Sequence, residues 1–253
     1  ILFSVPVCLL LMRKDPESLG LYPDGMSREE FEAQSTAPAR HGSTGDWTVA
    51  EAVRTQSFWL LISFVGLTGF VIQGTLIYRT AFWEDTGVSD GILGFATALD
   101  PFTVLFSGLF FGFVAERVAA RYLGFIGSLA VAASMVPMML ATGAIWNIFA
   151  HNIIWGLAMG ANITVNNVIW PNYFGRLHLG SIRGMMFPVA IGSAAFSAPL
   201  FAVLIDLVPD VRWVWGVTFG AYIIAALIML SSRPPRRRRL PESRVGVPAG
   251  ESA

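Results

Sequence analysis

The chain of 253 residues has little charge and almost no cysteine. Charged residues make up 13% of it, about half of the roughly 25% that is usual in soluble domains. Its one cysteine, Cys8, excludes a disulfide framework and a metal site with several cysteine ligands. The sequence has no glycine-rich phosphate loop, metal-ligand cluster or nucleophile triad. It therefore predicts neither an enzyme nor an ATP-driven pump, and it implies no cofactor.

Long hydrophobic runs are what the sequence has in abundance. Hydrophobic residues reach 54%, and the mean hydropathy is +0.60. Each long run has about the 20 residues that cross a hydrocarbon core of about 30 Å as a helix. Because unpaired backbone groups are costly in lipid and barrel strands are only about ten residues long, we predict an all-α membrane protein. Its six-transmembrane-helix bundle would comprise residues 57–78, 91–115, 122–142, 144–170, 184–205 and 213–232.

Basic residues are distributed unequally between the alternate connections of these spans. Of the seventeen Lys and Arg residues, fifteen fall on one side: five in residues 12–56, two after the second span, two after the fourth and six after the last. The other side has only Arg79 and Arg212. This positive-inside pattern predicts a multi-pass protein of the plasma (inner) membrane, with the central loop and the C-terminal tail in the cytoplasm.

Composition divides the chain into four segments. The first is apolar but too short to span a membrane, and it lacks the basic start of a signal peptide. We interpret it as the end of a truncated transmembrane helix, and the chain as a C-terminal fragment. The second segment is a polar cytoplasmic central loop, in which Thr48 and Glu51 predict a capped, short interfacial helix. The segments are residues 1–11, the central loop 12–56, the six-helix domain 57–232 and the basic tail 233–253.

The connections between the spans are short, which favours packing of consecutive helices as antiparallel neighbours. Small residues within the spans, such as Gly156 and Gly160, predict close approach of helices. The arginine run of the tail resembles a nucleic-acid patch. Directly after a span, however, it is better interpreted as a topology determinant that contacts anionic lipid. We therefore expect the lipid bilayer, and no nucleic acid, as a partner.

Asp100 is the one formally charged residue deep in a predicted span. It lies about 13 Å along its helix, close to the midplane of the bilayer. A carboxylate there is costly unless it is paired, protonated or in contact with water, so a functional role is the default hypothesis. Thr97, Thr103 and Ser107 share its helix face. The alternatives are a protonated side chain that hydrogen-bonds a neighbouring helix, or a turn at Asp100–Pro101.

The fourth span is the most polar. Within an arc of about 100° it carries a polar stripe formed by Asn147, His151, Trp155, Asn162 and Asn166. Such a stripe fits a water-filled cavity that binds a polar solute, with Asp100 or His151 as the carrier of a coupling proton. The alternative is hydrogen bonding between helices. Asn152, Thr164 and Asn167 point away from the stripe, and we expect them to serve either contacts between helices or the cytoplasmic edge.

Gln73, Tyr78 and Arg79 lie in the outer part of the first span and are further candidates for the substrate pathway. Arg79 would attract an anion at the entrance. Alternatively, it extends to the membrane interface beside Phe82 and Trp83, and this anchor interpretation is preferred.

Three loop motifs carry a family resemblance. After the second span, GFVAERVAAR is similar to the cytoplasmic loop signature of the major facilitator superfamily, with Gly112, Glu116, Arg117 and Arg121 in its places. Glu116 stands where an Asp is commoner, and Ala119 where a Gly is usual. The stretches RKDPESLGLYPDG and WTVAEAVRTQSFWLL resemble the oxalate/formate-antiporter-like and monocarboxylate-transporter-like branch. So does NYFGRLHLGSIRG, which contains the loop residues Gly175, Arg176 and Arg183.

The resemblance implies half of a twelve-helix major facilitator fold, in which the spans are helices seven to twelve and a missing N-terminal six-helix half is the partner. It implies a secondary active transporter that moves a small organic acid or similar metabolite by alternating access, with proton coupling open and with cytoplasmic gating loops. Relatives often have a His and a Pro where Tyr78 and Ala81 stand, and a basic residue within the C-terminal spans, which the sequence does not predict here. The alternative function is a non-transporting membrane sensor or scaffold with the same bundle.

Overall fold

The hydrophobic runs form helices because only a helix pairs nearly all backbone N–H and C=O groups within one segment in lipid. The computed structural model describes residue 27 and residues 46–236. In these residues one short helix, α1 (Val49–Val53), precedes the long ones. The long helices are α2 (Gln56–Asp85), α3 (Asp90–Ala115), α4 (Ala120–Met139), α5 (Ile145–Phe174), α6 (Leu179–Leu207) and α7 (Arg212–Ser231).

All six long helices have the length and apolar composition needed to cross a membrane. No strand occurs in the part of the chain that the structure describes. The predicted fold class, an all-α membrane protein with a six-helix bundle, is thus confirmed. The predicted helix end at 1–11, most of the central loop and the tail beyond residue 236 lie outside the described residues, and what was predicted for them stays a prediction.

The short helix predicted ahead of the first span is present as α1. Its first turn carries the expected capping box: the Thr48 hydroxyl accepts a hydrogen bond from the Glu51 N–H at 3.3 Å. In return, the Glu51 carboxylate accepts one from the Thr48 N–H at 2.8 Å. These two bonds satisfy N–H groups that the helix itself leaves unpaired.

The residues just before α1 are fastened to the connection between α5 and α6. Asp46 Oδ1 accepts hydrogen bonds from the backbone N–H groups of Arg176 at 3.0 Å and Leu177 at 3.1 Å. Gly175 has a φ of 80°, and a Cβ at this position would collide with Asp46. Glycine is therefore required here both by the backbone conformation and by the close approach.

Helix packing does not follow chain order. In space, α3 packs on α5, α5 on α4, α4 on α7, α7 on α2 and α2 on α6. Among consecutive long helices, only α4 and α5 pack along their length. The prediction that consecutive helices are packed neighbours is therefore wrong for the other pairs. A short loop holds only the adjoining ends of two helices, whereas their lengths pair where side chains are small or complementary.

Two glycines of α5 let α3 approach closely, as predicted for these residues. A Cβ on Gly156 would collide with the side chain of Thr103 and lie 3.1 Å from the carbonyl oxygen of Asp100. A Cβ on Gly160 would overlap Ser107, whose hydroxyl donates a hydrogen bond to a backbone carbonyl of α5. This close approach places Asp100 against α5.

One end of the bundle, here called the basic end, gathers the start of α2 and the ends of α5 and α7. The Ser57 hydroxyl donates a 2.5 Å hydrogen bond to the carbonyl of Arg233, and the Tyr173 hydroxyl donates to the carbonyl of Ser232 at 3.0 Å. Arg121 and Arg183 lie in the first two turns of α4 and α6 at this end, and the arginines that precede or follow helices here are Arg54, Arg117, Arg176, Arg233 and Arg236.

We expect Gly156→Ala to destabilise the bundle, because the added methyl group overlaps Thr103 and forces α3 away from α5. The free energy of unfolding should fall by about 1–3 kcal/mol, measured by denaturing the purified protein in mixed detergent micelles. Gly192→Ala on α6 is the control, since nothing lies within 4 Å of a Cβ there. Equal losses from the two substitutions would contradict a special role for the α3–α5 contact.

Candidate functional site

Helix α2 continues to Asp85, beyond Tyr78, where the first span was predicted to end. Arg79 consequently lies inside a helix, and only 7% of its surface is exposed. The preferred interpretation of Arg79 as an anchor at the membrane interface is therefore wrong. The predicted span ends too early because the charged residues after Tyr78 lower the local hydropathy. The helix itself continues, because its length depends on backbone hydrogen bonds and not on hydropathy.

Arg79 forms an ion pair with Asp100, which joins α2 to α3. The Nη2 atom of Arg79 lies 2.5 Å from Oδ2 of Asp100, and Asp100 is 8% exposed. At about 1.5 Å per residue, Asp100 lies about 15 Å from the start of α3, well inside the span. The prediction that no basic residue lies within the spans is corrected by this pair. The second carboxylate oxygen, Oδ1, has no hydrogen-bond partner among the described residues.

Two residues of α5 complete the surroundings of the guanidinium. Asn152 Oδ1 accepts a hydrogen bond from Arg79 Nη1 at 3.3 Å. The ring of Trp155 lies 5.6 Å from the guanidinium carbon, a cation–π contact. The helical spacing predicts Trp155 in the polar stripe, but it does not predict the contact of Asn152 with Arg79. The available signal was its position one turn before Gly156, on the face that α3 covers.

His151 is fully buried beside Trp155. Its ring stacks on that of Trp155 with 5.8 Å between centroids, and it lies 6.1 Å from the ring of Trp83. The Nδ1 atom is 2.7 Å from the carbonyl oxygen of Ser134. Because a carbonyl only accepts, Nδ1 carries a proton, and in the neutral form of the ring Nε2 is then an acceptor. This Nε2 has no partner within residues 46–236.

Asn147 lies one turn from His151 on α5 and is also fully buried. Neither its amide nitrogen nor its amide oxygen has a hydrogen-bond partner in the described part of the chain. Buried polar atoms are nearly always hydrogen-bonded, so these atoms can bind a polar group that enters here. This half of the predicted polar stripe thus adjoins the ion pair through Trp155.

The other half of the polar stripe forms a separate group. The Asn166 amide donates hydrogen bonds to Asn162 at its side-chain oxygen, 2.9 Å away, and at its carbonyl, 3.1 Å away. Arg183 of α6 donates to the carbonyls of Asn166 and Asn167 at 3.1 and 2.9 Å. Asn162 lies about 9 Å along the helix from Gly156, the residue of α5 that the backbone of Asp100 approaches. Asn162 and Asn166 therefore do not surround Asp100.

Tyr78 serves another contact, and no hydrogen bond joins Gln73 to the ion pair among the described residues. The Tyr78 hydroxyl donates to the carbonyl of Ala198 in α6 at 2.9 Å, and its ring stacks on Phe201 at 6.0 Å. Gln73 is half-buried. Tyr78 thus joins α2 to α6, while its neighbour Arg79 joins α2 to α3.

The residues predicted for gating loops lie at the basic end. Gly112 and Glu116 are exposed, and Arg117 covers the ring of Phe113 at 3.8 Å. Arg121 donates a hydrogen bond to the Tyr122 hydroxyl at 2.7 Å. Gly112, Arg121 and Arg183 lie within helices and not in loops, because the helices extend beyond the predicted spans or include their ends. No ion pair within residues 46–236 involves any of the predicted gating residues. A latch between charged loops therefore stays a prediction.

Comparison with known proteins does not assign this chain to a family. No protein-family model matches the sequence, and no curated protein sequence matches it. The resemblance to the major facilitator superfamily therefore stays a prediction from the loop motifs. The buried ion pair and its surroundings are the observations on which a functional proposal must rest.

We expect Arg79→Gln to lower the free energy of unfolding by about 3 kcal/mol, because it leaves the Asp100 carboxylate buried without a counter-charge. The double variant Arg79→Gln/Asp100→Asn should recover most of this loss, since it removes both charges. Unfolding of the single and double variants in detergent micelles measures the coupling between the two residues.

The control is the exposed pair of Asp210 and Arg212, whose charged atoms lie 3.9 Å apart. Asp210→Asn should change the free energy of unfolding by less than about 0.5 kcal/mol. Strictly additive effects of the Arg79 and Asp100 substitutions would show that the buried pair contributes no coupling energy.

Proposed function

We propose that this protein is a secondary transporter that moves a small organic anion across the membrane by alternating access. The observation that carries the proposal is the buried Arg79–Asp100 pair within a bundle of membrane-spanning helices. Charged residues inside a membrane are costly, and they commonly mark substrate or ion pathways.

Stability alone does not account for such a pair. Removing two charges from water costs several kcal/mol for each, and apolar side chains of similar volume often stabilise a protein equally well or better. Moreover, α2 and α3 have little other contact along their lengths. A costly, local contact between two otherwise separate helices is suited to opening and re-forming during a transport cycle.

In the proposed cycle, Asp100 is the proton site and Arg79 is the anion site. A proton on Asp100 removes the negative charge that holds the guanidinium. The guanidinium then binds the carboxylate of the substrate through two parallel hydrogen bonds, while Asn152 and Trp155 keep it in place. When the substrate leaves, Arg79 returns to Asp100 and the proton is released. One proton therefore accompanies each carboxylate.

The polar residues of α5 extend this site toward the end opposite the basic end. Asn147 and His151 lie between the ion pair and the start of α5, and both have unpartnered atoms among the described residues. We assign to these two residues the binding of the substrate's polar groups other than its carboxylate. Asn162 and Asn166 belong to the pathway on the other side of the pair.

The proposed transporter has a defined orientation in the membrane and a second helical half as its partner. The basic end faces the cytoplasm, because Lys and Arg are preferentially retained on that side. Within the described bundle, α3 and α6 bury the least of their surface. A second six-helix half, which the family resemblance implies, would cover part of these two helices and complete the substrate site.

Uptake by proteoliposomes tests the proposal, using the protein with its complete natural sequence. Among labelled formate, lactate, pyruvate and oxalate, at least one should accumulate, and faster with an inward proton gradient. Asp100→Asn should reduce gradient-driven accumulation at least about tenfold but retain exchange of labelled for unlabelled anion. Arg79→Gln should reduce both, because it removes the group that binds the carboxylate.

The exposed Asp210–Arg212 pair again offers a matched control, and Asp210→Asn should leave uptake within about twofold of the wild type. Unchanged uptake in both Asp100→Asn and Arg79→Gln would overturn the site. The sensor or scaffold alternative predicts no uptake of any anion, together with a thiol accessibility of Asn162→Cys that no anion changes.

A further inference from the structure

A concave pocket at the basic end is separate from the ion-pair site. Its volume is about 820 Å³, within the range of about 300–1,000 Å³ that small-molecule sites usually have. Its wall combines two helices, at the start of α4 and the end of α5, with the segment that follows α7. The lining residues are Ala119, Ala120, Arg121, Tyr173, Arg233, Pro234 and Arg236.

The pocket is strongly basic. Arg121, Arg233 and Arg236 line it, and none of them forms an ion pair within residues 46–236, although the Arg121 guanidinium also donates a hydrogen bond to the Tyr122 hydroxyl. The wall also includes the first turn of the 20-residue helix α4, whose cap residue Ala119 provides no side-chain hydrogen bond. Unpaired N–H groups at a helix start add a positive partial charge to that of the arginines.

The walls of the pocket are held by hydrogen bonds rather than by the arginine side chains. The carbonyl of Arg233 accepts a hydrogen bond from the Ser57 hydroxyl at 2.5 Å, and the carbonyl of Ser232 accepts one from the Tyr173 hydroxyl at 3.0 Å. These bonds fasten the segment after α7 to α2 and α5. The guanidinium groups of Arg233 and Arg236 consequently remain available for a ligand.

We propose that this pocket binds the phosphate group of an anionic membrane lipid. Guanidinium groups bind phosphate oxygens through paired, charge-assisted hydrogen bonds, and a helix start adds N–H donors. The adjacent surface is apolar: Tyr122 and Ile126 on α4 and Leu227 and Leu230 on α7 are exposed. A phosphate in the pocket would therefore have its acyl chains against these helices, which favours a lipid over a soluble phosphate.

Calorimetric titration of the purified full chain in neutral detergent tests this site, which does not depend on the proposed transport. Short-chain phosphatidylglycerol is the probe, with short-chain phosphatidylcholine and inorganic phosphate as comparisons. Phosphatidylglycerol should bind at least about tenfold more tightly than either, because it combines a net negative charge with acyl chains. The triple variant Arg121→Gln/Arg233→Gln/Arg236→Gln should weaken its binding at least about tenfold.

The matched control is Arg54→Gln/Arg117→Gln/Arg176→Gln, which removes the same charge from exposed arginines of the basic end that do not line the pocket. Its affinity for phosphatidylglycerol should stay within about twofold of the wild type. If the pocket triple variant does not fold, Arg236→Gln alone should weaken binding about threefold, since this exposed side chain lines the pocket.

Three results would overturn the proposal. Equal weakening by the two triple variants would mean that the basic end attracts lipid through its total charge. Unchanged binding in the pocket variants would place the lipid elsewhere. Inorganic phosphate that binds as tightly as phosphatidylglycerol would identify a soluble anion as the ligand.

Discussion

The need to neutralise charge where water is scarce governs the centre of this bundle. Arg79 and Asp100 meet at 2.5 Å in the interior of a membrane-spanning helical bundle, and each would be costly without the other. Asn152 and Trp155 occupy further faces of the guanidinium, so α2, α3 and α5 converge on one charged group. The site therefore depends on the positions of three helices, not on one motif.

Those positions follow from small residues. Gly156 and Gly160 remove the side chains that would separate α3 from α5, and Thr103 and Ser107 fill the space. Helices in lipid gain little from apolar contact alone, so close packing decides which helices become neighbours. The spatial order of the helices is consequently set by side-chain size, while chain order constrains only the helix ends.

The fold was predictable because each hydrophobic run is long enough to specify a helix by itself, and because Thr48 and Glu51 have the spacing of a capping box. The packing order was not, since it depends on matching surfaces of helices distant in sequence. Asp100 was recognisable as a charge in an apolar run. The role of Arg79 was not recognisable, because α2 continues beyond the end of its hydrophobic run and because the long side chain of Arg79 reaches a neighbouring helix.

The ion pair also bears on how the protein enters its membrane. Arg79 and Asp100 belong to consecutive spans, so both leave the ribosome before α5 is synthesised. A single Arg or Asp at the centre of a helix raises the cost of insertion by about 2.5–3.5 kcal/mol. An α2–α3 hairpin whose two charges already neutralise each other avoids much of that cost. The contact that forms the site thus favours insertion of α2 and α3 as a pair. Helix α5 then enters the membrane and packs its glycines against α3.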